Sequence, residues 1–357
     1  MIRIISEGEI FLESKDKYTY AVARTAVLPD GGVVCCFHRT VGGGVNDFTP
    51  LLCYSEDNGV SWSGPVQAYP EHEGEKGIVI NPRTSPEGHV SFAGKWWNID
   101  NPGELWWSEE VGGMKENSLC WCLSEDGRKL PPLNDLPLPV YAGAEQPSGM
   151  LIRHDGTYMF LYSCCLTIEA RFPVITNQMV MLTSGNKGER FSFSVFGGTG
   201  NPGTYAESWV VELSDGRLMV CSWITDGPDV LFLSNDKGET FTAPIEMPFG
   251  GQTMSLTPLP DGRVLIPYNY RVPGDSLGVW LAVVAPKGDS VDILERARVW
   301  EAKAATKDGC SHDFDNFTSF AFGEPQISIM PDGTLLLVIW VDQPDGTGVR
   351  YVRLALD

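Results

Sequence analysis

The sequence contains no hydrophobic run long enough to cross a membrane and no recognisable export signal. A membrane-spanning helix needs about 20 consecutive apolar residues, and no stretch of the 357 residues approaches that length. The opening segment MIRIISEGEIFLES mixes charged and apolar residues and lacks the apolar core and cleavage site of a secretory signal. We therefore expect a cytoplasmic protein that does not associate with membranes.

Basic residues are scarce in this chain. The 26 Lys and Arg residues are outnumbered by 46 Asp and Glu residues, which gives a formal net charge of −20. Nucleic acids and anionic membranes bind basic surfaces, so neither is an expected partner. The charge is compatible with a small-molecule or oligosaccharide substrate held by a few local side chains, and it predicts no particular oligomeric state.

Paired cysteine motifs are lacking as well. The nine cysteines are an odd number, and several lie in apolar runs, such as Cys35 and Cys36 in GGVVCCFH. The CWC segment at 120–122 lacks the two-residue spacer of a zinc site. We expect reduced, buried cysteines, and we predict neither a structural metal nor a cofactor.

Helical periodicity is not evident, and a β-hairpin pattern recurs in its place. Six times an alternating apolar run leads through Asp-Gly or Glu-Gly into another, as in RTAVLPDGGVVCCF and SLTPLPDGRVLIPY. The turn glycines are Gly31, Gly88, Gly156, Gly216, Gly262 and Gly333, spaced 46 to 71 residues apart. Each interval accommodates one four-stranded antiparallel sheet with its loops. The pattern predicts an all-β fold, a six-bladed β-propeller of four-stranded sheets that forms a single domain over residues 1–357.

The two ends of the chain complement each other in this pattern. The sequence begins with a lone strand-like segment, IRIISEGEIFL, and ends with GVRYVRLALD, which resembles a third strand with no fourth after it. The first strand is therefore predicted to complete the last sheet. This pairing would close the ring and remove an exposed sheet edge.

An eight-residue turn motif recurs after the third strand of three units. It reads SEDNGVSW at 55–62, SGNKGERF at 184–191 and SNDKGETF at 234–241, with a shortened form, SEDGRKL, at 124–130. The Ser and Asp side chains can accept backbone N–H bonds across the turn, the Gly adopts a positive φ, and the aromatic residue packs beneath the hairpin. We interpret the motif as structural.

The motif, in this position within repeated sheets, resembles the Asp-box (BNR) repeats of the sialidase superfamily of six-bladed β-propellers. The resemblance covers nearly the whole chain and implies a site at one end of the central channel, near the starts of the innermost strands. Sialidases bind the substrate carboxylate with three arginines. They use a tyrosine nucleophile paired with a glutamate, and an aspartate as acid/base.

Three catalytic candidates follow from this resemblance, with the hairpin glycines as reference points. Glu207, nine residues before Gly216, matches the family's partner glutamate, and Glu324, nine before Gly333, stands where the family has its tyrosine. Asp47 lies in a Gly-rich loop near the position of the catalytic aspartate. The arginine triad is incomplete, since Ala21 occupies the first arginine position and the fourth unit has none. The resemblance thus implies a glycosidase that does not hydrolyse sialic acid.

Carboxylates dominate the predicted channel mouth. Glu145, Glu207 and Glu324 share similar contexts (AEQP, AESW and GEPQ) just before innermost strands. Burying a glutamate costs free energy unless it is ligated or protonated. Most glycoside hydrolases use two carboxylates, one on each side of the scissile glycosidic bond. The alternative is a purely structural role, in which these carboxylates only accept hydrogen bonds from neighbouring backbone N–H groups.

The remaining candidates are substrate-binding residues. They are Arg24, Arg83, Glu145, Gln326, Trp209, His312 and Tyr205. The two arginines could bind a substrate carboxylate or neutralise the acids. His312 lies in SHDFDNF, which could ligate a metal or supply a base, or form an acidic solvated loop. The segment KWWNIDNPGELWW holds four Trp residues that could stack on sugar rings or plug a long loop.

Three functions are compatible with the sequence. The first is a sialidase-like glycoside hydrolase that cleaves a terminal sugar by carboxylate acid/base catalysis. The second is a polysaccharide lyase in which Tyr or His acts as base while Arg24 and Arg83 neutralise a uronate. The third is a non-catalytic carbohydrate- or protein-binding propeller.

Overall fold

The computed structural model describes residues 1–15, 17–198, 203–225, 227–271, 276–307 and 319–356. Nearly all regular structure in these residues is β-strand, with one short 3-10 helix at Pro70–His72. No helix in the described residues is long and apolar enough to span a membrane.

The strands form sheets in chain order. The chain starts with β1 (Ile2–Glu13). Sheet 1 contains β2 (Thr19–Val27), β3 (Val33–Thr40), β4 (Thr49–Ser55) and β5 (Val66–Gln67). Sheet 2 contains β6 (Lys76–Thr84) and β7 (Val90–Asn98), and, after the inserted hairpin of β8 (Trp107–Ser108) and β9 (Gly113–Met114), β10 (Ser118–Ser124) and β11 (Asn134–Leu136). Sheet 3 contains β12 (Gly143–Glu145), β13 (Met150–Ile152), β14 (Tyr158–Thr167), β15 (Met179–Ser184) and β16 (Ser192–Phe196).

The second half of the chain continues in the same way. Sheet 4 contains β17 (Tyr205–Glu212), β18 (Leu218–Ile224), β19 (Val230–Ser234) and β20 (Ile245–Glu246). Sheet 5 contains β21 (Thr257–Pro258), β22 (Val264–Tyr270), β23 (Gly278–Lys287) and β24 (Ser290–Glu301). Sheet 6 contains β25 (Phe322–Ile329), β26 (Leu335–Gln343), β27 (Gly346–Leu356) and the first strand, β1.

The sheets are arranged as a β-propeller, which confirms the predicted all-β fold class. The innermost strands of neighbouring sheets contact each other around a ring, including β25 with β2. Strand β1 pairs antiparallel with β27, from Ile2 opposite Leu356 to Glu13 opposite Thr347. The predicted closure by the N-terminal strand is therefore present, and it covers an edge that would otherwise be unpaired.

One sheet departs from the predicted regularity. Five sheets have four strands, as expected, but sheet 3 has seven. Its innermost strand is split into β12 and β13, which both pair with β14. The β8–β9 hairpin joins through a parallel pairing of β9 with β14, Gly113 opposite Leu166. The prediction of six four-stranded blades is therefore wrong: the structure has five, because an insertion from sheet 2 extends sheet 3.

The hydrophobic core lies between the sheets. A separate cluster of buried apolar side chains fills the space between each pair of neighbouring sheets. The eight described cysteines are buried and free, in keeping with the prediction of reduced, apolar cysteines. This side-by-side packing holds the innermost strands rigidly around the channel.

The eight-residue turn has the same hydrogen bonds wherever it occurs. The Ser234 hydroxyl donates to Asp236 Oδ1 (2.8 Å) and accepts the Gly238 N–H (2.8 Å), while Asp236 Oδ1 accepts the Thr240 N–H (2.9 Å). The turns at 55–62 and 184–191 repeat these bonds. Phe241 stacks on Phe196, with ring centroids 3.8 Å apart. The motif stabilises the turn locally, as predicted.

Ser234→Ala is expected to lower the free energy of unfolding by about 1–3 kcal/mol, because it leaves the buried Gly238 N–H without an acceptor. Ser290→Ala is the matched control, since that hydroxyl is exposed and bonds only the Lys287 carbonyl of its own hairpin. The measurement is the urea unfolding curve of both variants. Equal midpoints for the two would show that the motif contributes nothing.

Candidate active site

Two of the predicted carboxylates lie at equivalent irregularities of their strands. The pairing of β17 with β18 shifts register between Ala206 and Trp209, and the pairing of β25 with β26 shifts between Gly323 and Gln326. Each shift is a β-bulge, and the extra residue has a left-handed backbone, with φ of 51° at Glu207 and 52° at Glu324. A bulge redirects a side chain out of the normal alternation. Positive φ is uncommon for residues other than glycine, so both glutamates hold a constrained orientation.

A third innermost strand contains the same bulge. Strand β2 shifts register between Ala21 and Arg24, and Val22 has a φ of 54°. Val22, Glu207 and Glu324 each lie nine residues before the hairpin glycine of their sheet. The three bulges therefore present one apolar and two acidic side chains at the same level of the channel.

A cavity with an empty volume of about 840 Å³ opens at this level, and we call it the carboxylate cavity. Its acidic lining residues are Glu145, Glu207 and Glu324, its basic ones are Lys95, Arg271 and Lys307, and its aromatic ones include Tyr20, Phe48, Trp97, Trp106, Phe320 and Trp340. Ala21 and Val22 also line it. Apolar walls with a few convergent charged groups are typical of a small-molecule site.

Glu207 is surrounded by features that favour its protonated form. The residue is 8% exposed, and Oε2 has no hydrogen-bond partner among the described residues. Burial is the largest cause that raises its pKa well above the usual range, and the charges of Glu324 and Glu145 add to the effect. Arg271 and Arg24 oppose it. These surroundings favour the protonated carboxyl group, which could donate a proton.

Glu324 has a cationic neighbour instead. Arg24 Nη2 lies 3.4 Å from Glu324 Oε1, and Arg24 Nη1 donates to the Glu324 carbonyl at 2.6 Å. The guanidinium also donates to the carbonyls of Ala23 (2.9 Å) and Pro147 (3.3 Å). Arg24 is 2% exposed and does not line the carboxylate cavity. Arg24 thus holds the Glu324 backbone in place and forms an ion pair with its carboxylate from outside the cavity.

Arg271 is a charged lining residue that the sequence analysis did not identify. Its Nε and Nη2 donate to the Phe322 carbonyl at 3.0 and 2.6 Å, and its guanidinium lies over the Phe320 ring. Burial lowers the pKa of Arg271 to about 10, while the nearby Glu207 and Glu324 oppose that shift. The guanidinium remains charged at neutral pH and interacts electrostatically with both acids. The only signal in the sequence is an arginine directly after the apolar strand VLIPYNY.

Lys95 is the second charged lining residue that was missed. Its Nζ lies 2.7 Å from Glu145 Oε2, and it sits 5.2 Å from the Trp97 ring centroid. Both partners of the pair are largely buried, with side-chain exposures of 5% and 17%. A lysine inside the apolar strand VSFAGKWWN is the signal that could have found it. The Glu145 carboxylate is thus engaged by Lys95, whereas Glu207 Oε2 has no hydrogen-bond partner among the described residues.

Lys95→Met is expected to destabilise the protein by about 3–5 kcal/mol, because breaking a buried ion pair leaves an uncompensated charge. The double variant Lys95→Met with Glu145→Leu should recover most of that loss, since it removes both charges. The measurement is the free energy of unfolding of the three proteins. A single variant as stable as wild type would show that solvent already screens the pair.

The other predicted site residues lie elsewhere. Asp47 does not line the carboxylate cavity, because its carboxylate accepts bonds from the Thr40 hydroxyl and the Val41 N–H within its own loop. Tyr205 is fully buried in the core between sheets 3 and 4. His312 lies outside the described residues.

Three further candidates line a different pocket, near the carboxyl ends of the innermost strands. Arg83, Trp209 and Gln326 all lie there. Arg83 Nη1 donates to the Val210 carbonyl at 2.8 Å, and Gln326 Oε1 accepts the Thr25 N–H at 2.9 Å. The first bond joins sheet 2 to sheet 4 and the second joins sheet 1 to sheet 6, and none of these three residues lines the carboxylate cavity.

The tryptophan-rich insertion is divided between two roles. Trp97 and Trp106 line the carboxylate cavity and lie 5.5 Å apart, centroid to centroid. Trp96 packs instead against the core between sheets 1 and 2. The insertion therefore supplies part of the cavity wall. Within the described residues, no group of three or more His, Cys, Asp or Glu side chains is arranged to hold a metal.

Comparison with known proteins shows the fold. No protein-family model and no curated protein matches the sequence. The solved structures it resembles include a protein of unknown function from Dyadobacter fermentans, with 17% identity, TM-score 0.74, and coverage of 100% of this chain and 99% of that one. They also include the NanB sialidase from Streptococcus pneumoniae (14%, TM-score 0.65, coverage 98% and 70%) and the intramolecular trans-sialidase from Ruminococcus gnavus (12%, TM-score 0.61, coverage 98% and 97%). The chain therefore shares the β-propeller fold of sialidases.

Proposed function

We propose that this protein is a sialidase-like glycoside hydrolase that cleaves a terminal sugar from a glycan or glycoside, and that the sugar is not sialic acid. One observation carries the proposal. Equivalent bulges present Glu207 and Glu324 to a single cavity, and the two carboxyl groups have different electrostatic surroundings. Divergent environments for paired carboxylates are the usual basis of acid and base assignments.

Glu207 is the proposed general acid. Its proton passes to the glycosidic oxygen while the bond from that oxygen to the anomeric carbon breaks, so the leaving group departs as a neutral alcohol. Glu324 is the carboxylate that attacks the anomeric carbon or removes a proton from the attacking water. Arg271, which lines the same cavity and interacts electrostatically with both acids, compensates the negative charge that remains on the cavity wall.

The cavity lining supports the exclusion of sialic acid. Ala21 and Val22 line it where the resemblance to sialidases requires the first arginine of the triad. Arg24 does not line the cavity and is paired with Glu324, and Lys95 is paired with Glu145. A carboxylate on the sugar would therefore lack the threefold arginine clamp of that family.

The same geometry gives less support to a lyase. The lyase predicted from the sequence uses Arg24 and Arg83 to neutralise a uronate, but neither lines the carboxylate cavity. Arg83 donates to backbone carbonyls, and Arg24 donates to backbone carbonyls and to Glu324. A hydrolase needs only the two glutamates and a water molecule.

The test is a panel of aryl glycosides and uronate-containing oligosaccharides, with product masses measured for wild type and the Glu207→Gln, Glu324→Gln double variant. We expect wild type to add one water across a glycosidic bond and release a reducing sugar, and the double variant to release none. An unsaturated, ultraviolet-absorbing product would indicate a lyase. Binding without turnover across the panel would contradict the enzymatic proposal.

A further inference from the structure

A second depression adjoins the carboxylate cavity. It has an empty volume of about 1070 Å³, and we call it the Trp223 groove. Its own lining includes Trp107, Leu166, Thr176, Thr204, Trp223 and Thr225. It shares Glu145, Glu207, Gln252 and Phe320 with the carboxylate cavity. Glu207 therefore lies at the junction of two spaces.

The two spaces differ in charge. Glu324, Lys95, Arg271 and Lys307 line the carboxylate cavity alone. Among its described lining residues the Trp223 groove has no basic side chain, and the only charged one that it does not share is Glu109. Its apolar lining includes two indole rings and Leu166, which is 39% exposed. An anionic group would be repelled there, whereas a neutral group with a flat apolar face would be accommodated.

The wall of the groove is built by backbone bonds between strand ends. The Thr204 N–H donates to Thr225 Oγ1 at 3.1 Å, and the Thr225 N–H donates to the Thr204 carbonyl at 3.3 Å. The Tyr205 N–H donates to the Thr176 carbonyl at 3.0 Å. The Tyr205–Thr176 bond joins sheets 3 and 4, and the two Thr204–Thr225 bonds close the end of sheet 4 beside the groove.

The reaction geometry assigns an occupant to each space. A glycosidic oxygen joins the sugar to the leaving group, and the general acid must reach that oxygen. Glu207 lines both spaces, but Glu324, which must act at the anomeric carbon, lines only one. Placing the sugar in the groove would separate the anomeric carbon from Glu324. We propose that the carboxylate cavity holds the sugar and that the Trp223 groove binds the leaving group, a neutral group with an aromatic or similarly flat apolar face.

This inference rests on the proposed function, and a kinetic ratio tests it. For the sugar identified by the panel, kcat/KM is measured on the 2-naphthyl glycoside and on the glycosyl fluoride, whose leaving group is too small to fill the groove. Trp223→Ala is expected to lower the naphthyl-to-fluoride ratio about ten-fold, through lost stacking and apolar contact. Trp223→Phe should retain most of the ratio. Trp96→Ala, which alters an indole outside both spaces, should leave it unchanged. An unaltered ratio in Trp223→Ala would overturn the assignment.

A binding measurement separates failure of the groove from failure of the proposed function. Calorimetric titration compares 2-naphthol with 2-naphthalenesulfonate, which carries the same ring with a negative charge. We expect 2-naphthol to bind at least about ten-fold more tightly, because the described lining residues of the groove include acids and no cation, and Trp223→Ala to lose that binding. Equal affinity for both probes, or unchanged 2-naphthol binding in the variant, would refute the groove whether or not any glycoside is hydrolysed.

Discussion

Glu207→Gln is expected to lower kcat/KM for alkyl and unactivated aryl glycosides by about 10²–10⁴-fold, the usual contribution of a general acid. The amide fills the same space but cannot protonate the leaving oxygen. The loss should be at least about ten-fold smaller for a glycosyl fluoride, because fluoride leaves without first gaining a full proton. Steady-state kinetics on both substrates measure the difference. An equal loss on both would show that Glu207 acts through binding or structure.

The stability of this variant provides an internal control. Burial and the neighbouring acids raise the folded-state pKa of Glu207 well above the ordinary glutamate value of 4.5. The folded state therefore binds more protons than the unfolded state between those two pKa values, so the contribution of Glu207 to stability falls as pH rises through that window. Glutamine does not ionise. We expect Glu207→Gln to be at least as stable as wild type, with its largest advantage at alkaline pH; marked destabilisation there would contradict the assigned surroundings.

Glu324→Gln is expected to lower kcat/KM by at least about 10³-fold on every substrate, the glycosyl fluoride included, because attack at the anomeric carbon needs this carboxylate whatever the leaving group. The variant also removes the anionic partner of the buried Arg24, so its unfolding free energy must be measured alongside. Glu301→Gln, at an exposed ion pair with Arg298, is the matched control and should retain wild-type kinetics. A Glu324→Gln protein that still consumes the fluoride at a wild-type rate would remove Glu324 from the mechanism.

The fold could be predicted because its determinants are local. All six hairpin glycines have a positive φ, so each Asp-Gly or Glu-Gly turn in the sequence marks a real strand reversal. The seven-stranded sheet could not be predicted in this way. It depends on the parallel contact between Gly113 and Leu166, which are 53 positions apart, and no local pattern encodes that pairing.

The positions of Glu207 and Glu324 were predictable for the same local reason, since both bulges keep a fixed distance from the hairpin glycine. The same bulges explain why Trp209 and Gln326 do not join them in the carboxylate cavity. Simple alternation places residues i and i+2 on one face of a strand, but a bulge inserts an extra residue and breaks that relation. The residue types alone do not predict a bulge.

Arg271 and Lys95 were not predicted because the candidates were sought on the innermost strands. Lys95 lies on the second strand of its sheet, β7, and Arg271 directly follows the second strand of its sheet, β22. Their proximity to the glutamates arises only when the sheets close into a ring. The charge balance of the cavity is thus a property of the assembled propeller.

The pH dependence of kcat/KM tests most directly whether Glu207 and Glu324 divide the chemistry between them. In wild type we expect a bell-shaped profile whose alkaline limb reports deprotonation of Glu207, at a pKa well above that of an ordinary glutamate. In Glu207→Gln, assayed with the glycosyl fluoride, that alkaline limb should disappear while the acidic limb remains. The same alkaline limb in both proteins would contradict the account.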